Sequence, residues 1–99
     1  MHSDRLYIDG AWRASDGGQT LEVLAPSTGK AIGTIARGTA ADIDAAVKAA
    51  RRAFEGVWGQ TPAVDRGRLL AKLGEKILEH EDELTELEAE DTGKALTLA

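Results

Sequence analysis

The hydrophobic spacing of this chain changes once, at Thr39, and that change limits what it can fold into. Before Thr39, apolar residues sit in short runs separated by turns rich in Gly, Asp and Pro. After it, they recur every three or four residues. A period of two builds strands and a period of 3.6 builds helices. The pattern therefore predicts an α+β chain: an antiparallel β-meander of about four short strands over 5–37, then two or three amphipathic helices over 39–94.

Each predicted strand is bounded by a turn with a physical reason. Leu6, Tyr7 and Ile8 lead into Asp9-Gly10, a pair that tolerates the positive φ angles of a tight hairpin. Ala11-Trp12-Arg13 is the return strand, closed by Ser15-Asp16-Gly17-Gly18. A third run covers Thr20 to Leu24, with Leu21 and Val23 on one face. In Ala25-Pro26-Ser27-Thr28-Gly29-Lys30, proline fixes one φ and Gly29 frees another, so a turn is expected before a strand over Ala31 to Ala36.

The helical part opens with Thr39 and Asp42, spaced as a capping box. Ile43, Ala46, Val47, Ala50 and Phe54 then form one stripe, and Gly56 and Gly59 are expected to end that helix. Thr61 before Pro62 predicts a second start, with Thr61 as the cap and proline as the first helical residue. Leu69, Leu70, Leu73, Ile77 and Leu78 make its apolar face. Near His80 the only plausible new cap is Asp82, and Gly93 is a natural helix end. If the helix ran through His80, the residues Leu70, Leu73, Ile77, His80, Leu84 and Leu87 would make a short coiled-coil interaction module. Gly74 within that run weakens it by about 1 kcal/mol relative to Ala.

Composition narrows the function. The apolar share is 42%, but seventeen of those residues are Ala and only Tyr7, Trp12, Phe54 and Trp58 are aromatic. Burial stabilises by roughly 25 cal/mol per Å² of apolar surface, so an Ala-rich core gives little against the ordering entropy. A segment that leans on a larger partner fits better than a free-standing globule. Trp12 and Trp58 read as packing anchors. A net charge of −5 with only short basic clusters argues against nucleic acid. No window approaches the ~18 apolar residues of a membrane span, and no apolar signal segment follows Met1, so a cytoplasmic location is expected.

The candidate chemistry resolves into scaffold. Zero cysteines exclude a thiol nucleophile or thiolate metal site within these 99 residues. Gly29-Lys30 and Gly93-Lys94 invite a phosphate-loop reading, but Leu24 and Glu88 stand where the upstream Gly should be, and Ala31 and Ala95 where Ser or Thr should follow. No Gly-x-Gly-x-x-Gly is present. The acidic run from Glu75 to Asp91 lacks the glycine-centred spacing of a calcium loop, and Glu79, Glu83 and Glu86 share one helical side as a solvated face does. His2 and His80 have no ordered nucleophile or acid beside them, and His80 reads as an exposed helix-end residue. The assignments are therefore catalytic none, cofactor-binding none and metal none.

Taken in order, several stretches resemble the N-terminal segment of the aldehyde dehydrogenase superfamily. They are Leu6-Tyr7-Ile8-Asp9-Gly10-Ala11-Trp12, Ala25-Pro26-Ser27-Thr28-Gly29-Lys30, Ala45 to Phe54 with the following Trp58, Arg66-Gly67-Arg68-Leu69-Leu70, and Leu87 to Lys94. The resemblance spans essentially residues 1–99 in one register and is nearest the betaine-aldehyde and broad-specificity branch. Ala25 stands where the family commonly has Asn, and Ala95 where it usually has Pro.

What the resemblance implies is an oxidoreductase: oxidation of an aldehyde to the carboxylate with NAD or NADP. The family uses a Cys thiolate to attack the aldehyde and a Glu to activate water, and both would lie beyond Ala99, with most of the cofactor-binding domain. The 99 residues alone are accordingly expected to be inactive and to hold no cofactor. Family members form homodimers or homotetramers. They often hold a monovalent cation with backbone carbonyls near the position of Val23-Leu24, which would be at most half a site here. Two other roles compete with this reading, a helical interaction module and a truncated regulatory paralogue.

Overall fold

The computed structural model describes residues 3–99, so the histidine at position 2 lies outside the described residues. The expected α+β order is present: β1 (Leu6–Ile8), β2 (Ala11–Arg13), β3 (Thr20–Leu24) and β4 (Ala31–Ala36), then α1 (Ala40–Glu55), a single turn α2 (Val57–Gln60), α3 (Ala63–Glu79) and α4 (Glu81–Thr92).

The four strands are antiparallel and pair two by two. In the first hairpin Leu6 lies opposite Arg13 and Ile8 opposite Ala11. Its turn has positive φ at both Asp9 (54°) and Gly10 (78°), the geometry that matches the right-handed twist of the strands. In the second, Thr20 faces Ala36 and Val23 faces Gly33, and a bulge follows between Val23 and Leu24. Between the hairpins, the Gly18 amide closes a turn onto the Ser15 carbonyl at 2.8 Å, and Gly17 and Gly18 both take positive φ. That reversal carries the chain away from β2, so β3 pairs with β4 alone. Ser3 rejoins the second hairpin as a parallel bridge to Ile35, donating to Thr34 and accepting from Ala36.

Thr39 caps α1 as expected: its hydroxyl accepts from the Asp42 amide, and the Asp42 carboxylate accepts from the Thr39 amide. Gly56 ends the helix. Gly59 does not, because the chain immediately makes the one-turn α2, in which Gly59 lies too close to the Phe54 carbonyl for any Cβ.

Thr61 is not the cap of the next helix either. A residue before proline is pushed to extended angles, and Pro62 itself stays extended at ψ 145°, so helical geometry begins at Ala63. The Thr61 hydroxyl turns back to the Val57 carbonyl. At His80 (φ −112°, ψ 23°) the helix breaks, which overturns a continuous coiled coil. Asp82 is not the new cap; it lies in the first turn of α4 with Glu81 and Glu83, where acids offset the helix dipole. Gly93 closes α4 in the left-handed conformation.

The result is a slab of 47 × 37 × 15 Å with a radius of gyration of 16.9 Å, against roughly 13 Å for a compact chain of about 100 residues. Among the described residues the only buried apolar side chain is Ala25, at the head of the β3–β4 turn. The expected packing anchors Trp12 and Trp58 are not buried: they are 61% and 42% exposed, and Trp12 makes an edge-on pair with Tyr7 across the first hairpin at 5.0 Å between ring centroids.

Candidate functional site

The best-connected polar group is Asp42, at the third position of α1 and 1% exposed. Its Oδ2 accepts from the Thr39 amide at 2.9 Å and the Thr39 hydroxyl at 3.1 Å. The Asp16 amide donates to both carboxylate oxygens, at 3.1 and 3.0 Å, and the Arg13 guanidinium donates to Oδ1 at 2.9 Å. The Thr39 amide does most to hold this carboxyl down, at about 2 instead of 3.8. Burial opposes it, while the Asp16 amide, Arg13 and the Thr39 hydroxyl add to it. Every partner favours the anion, so Asp42 is a structural tie between β2, the following turn and α1, and has no proton to trade near neutral pH.

A second tie lies near the other end of the helix, where Arg52 donates to Asp9 in the hairpin turn at 3.0 Å. Ten helical residues separate Asp42 from Arg52, roughly 15 Å. The first hairpin is therefore strapped along α1, and β1 packs against it. The helix meets the strands with small residues: Ala45, Ala46 and Ala49 are half-buried. Ile43, Val47 and Phe54 lie about a third of the way around the helix and are exposed. Of the stripe expected from sequence, only Ala46 turns inward.

The other sequence candidates stay apart from one another. Gly29, at φ 71°, donates to the Ala25 carbonyl at 2.7 Å, and Lys30 follows it into solvent. Lys94 pairs with Glu88 at 3.1 Å after the helix end at Gly93. His80 stands at the α3–α4 junction, 3.3 Å from Glu83. Val23 and Leu24 flank the bulge between the paired strands. Among the described residues, no three or more Asp, Glu or His side chains converge as a metal-binding group. These side chains therefore do not compose a carboxylate or imidazole metal site.

Nor do they fit a dinucleotide. One open depression of about 390 Å³ is lined by Ser3, Asp4, Arg5 and Trp12. It has no glycine-rich loop leading into a helix N-terminus, which a pyrophosphate requires. What dominates the surface instead is apolar: Ile43, Val47 and Phe54 on α1, and Leu69, Leu73 and Ile77 on α3 are all exposed. Sequence periodicity identifies both stripes, though not that they face outward.

The same backbone of two hairpins and a helical row is found among known proteins. The model of the aldehyde dehydrogenase family matches residues 12–99, and the chain belongs to that family. It is 41% identical over 96 residues to cytosolic 10-formyltetrahydrofolate dehydrogenase of Xenopus laevis, covering 96% of this chain and 11% of that protein. Against an aldehyde dehydrogenase of Aspergillus niger it is 42% identical over 94 residues, covering 95% of this chain and 19% of the other. Among solved structures, an NAD+ complex of aldehyde dehydrogenase from Bacillus cereus superposes with a TM-score of 0.91 at 40% identity, over 98% of this chain and 20% of that one. A point mutant of Staphylococcus aureus betaine aldehyde dehydrogenase, bound to NAD+, gives 0.91 at 43% identity, over 96% and 19%. The chain thus spans between a tenth and a fifth of the relatives it matches, and corresponds to the N-terminal segment of the aldehyde dehydrogenase fold. No helix among the described residues is long and apolar enough to cross a membrane.

Proposed function

We propose that this chain is the structural N-terminal segment of a subunit that oxidises an aldehyde to the carboxylate with NAD or NADP as hydride acceptor. The observation that carries this reading is the extent of the match: 98% of the chain follows the backbone of an aldehyde dehydrogenase solved with NAD+, at 40% identity. In that reaction the thiolate nucleophile and the water-activating base come from outside these residues, which contain no cysteine. The segment contributes position. Within residues 5–37 and 39–94, Asp42 and Arg52 hold the first hairpin to α1. A betaine-type aldehyde or a broad range of aldehydes is the expected substrate class. Assembly as a homodimer or homotetramer in the cytoplasm is the expected setting.

Two measurements test this. The 99-residue chain, titrated with NAD(H) by calorimetry, should show no micromolar binding and no aldehyde-dependent reduction of NAD. The same chain, substituted for the matching segment of a relative's subunit, should support aldehyde-dependent NADH formation. A folded chimaera that binds NAD and oxidises no aldehyde overturns the assignment.

A further inference from the structure

We propose that the residues leading into β1 guard the outer edge of β4, and that this edge, once bared, pairs with β4 of a second copy of the chain. An open strand edge is a template for another chain, and proteins blunt it with short strands, charges or a covering segment. Three of the four strands carry such protection in their own sequence. β1 and β2 are three residues long, and β2 ends on Arg13. β3 has Glu22 at its centre. The longest of the four, β4, reads Ala31-Ile32-Gly33-Thr34-Ile35-Ala36 and has neither charge nor proline. Lys30 and Arg37 stand just outside it. An uncharged, proline-free run of six residues is the kind of strand that self-pairs.

The backbone shows what covers this edge. Successive residues of a strand turn their amides and carbonyls to alternate sides. Thr34 and Ala36 turn theirs away from β3, and Ser3 binds there. Its amide donates to the Thr34 carbonyl and its carbonyl accepts from the Ala36 amide, both at 2.8 Å. The Thr34 hydroxyl donates to the Asp4 carboxylate, which fixes the next residue beside the same strand. Ser3 runs parallel to Ile35, so the chain crosses from the edge of the second hairpin straight into the first. The occupant follows from the strand itself. A second β4 offers an edge free of charge, whereas β3 would bring Glu22 into the pairing and β2 would bring Arg13.

The test compares the 99-residue chain with Ser3→Pro, which removes the donor to Thr34, and with Ser3→Ala, which keeps it. In sedimentation, Ser3→Pro should dimerise at a concentration at least about tenfold lower than wild type, and Ser3→Ala should match wild type. A chain lacking residues 1–4 is the second variant and should behave as Ser3→Pro does. Adding Thr34→Pro to either variant removes an outward amide and leaves the β3 side of the strand intact, so it should restore wild-type behaviour. In dilute solution the Ala36 amide should exchange at least about tenfold faster in the truncated chain than in wild type, and dimerisation should protect it again. Equal association of wild type and both variants overturns the proposal, as does equal exchange at Ala36. Association that Thr34→Pro fails to reverse places the contact on another surface and overturns β4 as its site.

Discussion

The guanidinium of Arg13, at the end of β2, donates to the carboxylate of Asp42, in the first turn of α1, at 2.9 Å across 29 residues of sequence. The same carboxylate receives the Asp16 and Thr39 amides. With the Thr39 hydroxyl that makes four donors, and Asp42→Ala removes the acceptor from all of them at once, whereas Asp42→Asn keeps one oxygen. Amide exchange at Asp16 and Thr39 should therefore accelerate in the order wild type, Asn, Ala. Equal exchange in all three would show that the hairpin is held by something else.

The same residue sets an acid limit. Its carboxyl lies at about 2 when folded and near 3.8 otherwise, so between those values the unfolded chain binds more protons than the folded one. The contribution of Asp42 is fully present above about pH 4 and is lost as the pH falls through about 2. Carboxyl NMR should place the Asp42 midpoint near 2, and Arg13→Ala should move it upward.

Thr39→Ala deletes the capping hydroxyl while leaving the Asp42 carboxylate in place. Such losses cost about 1 kcal/mol. The effect should be confined to the first turn of α1, visible as faster exchange of the Asp42 and Ile43 amides with α3 unchanged.

Two glycine substitutions should act in opposite directions. Gly93 sits at φ 74°, where a Cβ would meet Pro26 at an ordinary 3.5 Å, so Gly93→Ala costs about 1 kcal/mol for its conformation and not for a clash. Gly74 is mid-helix with open space around it, so Gly74→Ala should strengthen α3 by about 1 kcal/mol. Far-ultraviolet circular dichroism of the free chain should show helix content falling in the first and rising in the second.

Turns and caps were legible in the sequence because they are local. Asp9-Gly10, Gly29, Thr39 with Asp42, and Gly93 each act through neighbours a few residues away, and each takes the geometry its residue types dictate. What sequence could not give is direction. The stripe of α1 is visible as a period, yet the face used inside the segment is the alanine face beside it. Periodicity marks the bulky side chains of a helix and carries no record of which side faces the neighbouring strands. Asp42 was recognisable as half of a capping box, while Arg13 and Asp16 are tertiary partners with no local signal. Thr61 was misplaced because Pro62 holds the chain extended for one residue more. For the site, spacing marks Thr39 and Asp42, while the exposed Leu, Ile and Val of α1 and α3 look in the sequence like ordinary core.

A slab 15 Å thick, in which Ala25 is the only buried apolar side chain among the described residues, has little interior to melt. Unfolding heat capacity follows the apolar area newly wetted, and here most of that area is wet already. The isolated segment should give a shallow, drawn-out calorimetric trace, and a sharp endotherm should return only when the segment is joined to the rest of a relative's subunit. Cooperativity in this family would then belong to the whole subunit, with this segment borrowing its melting temperature from what lies on top of it.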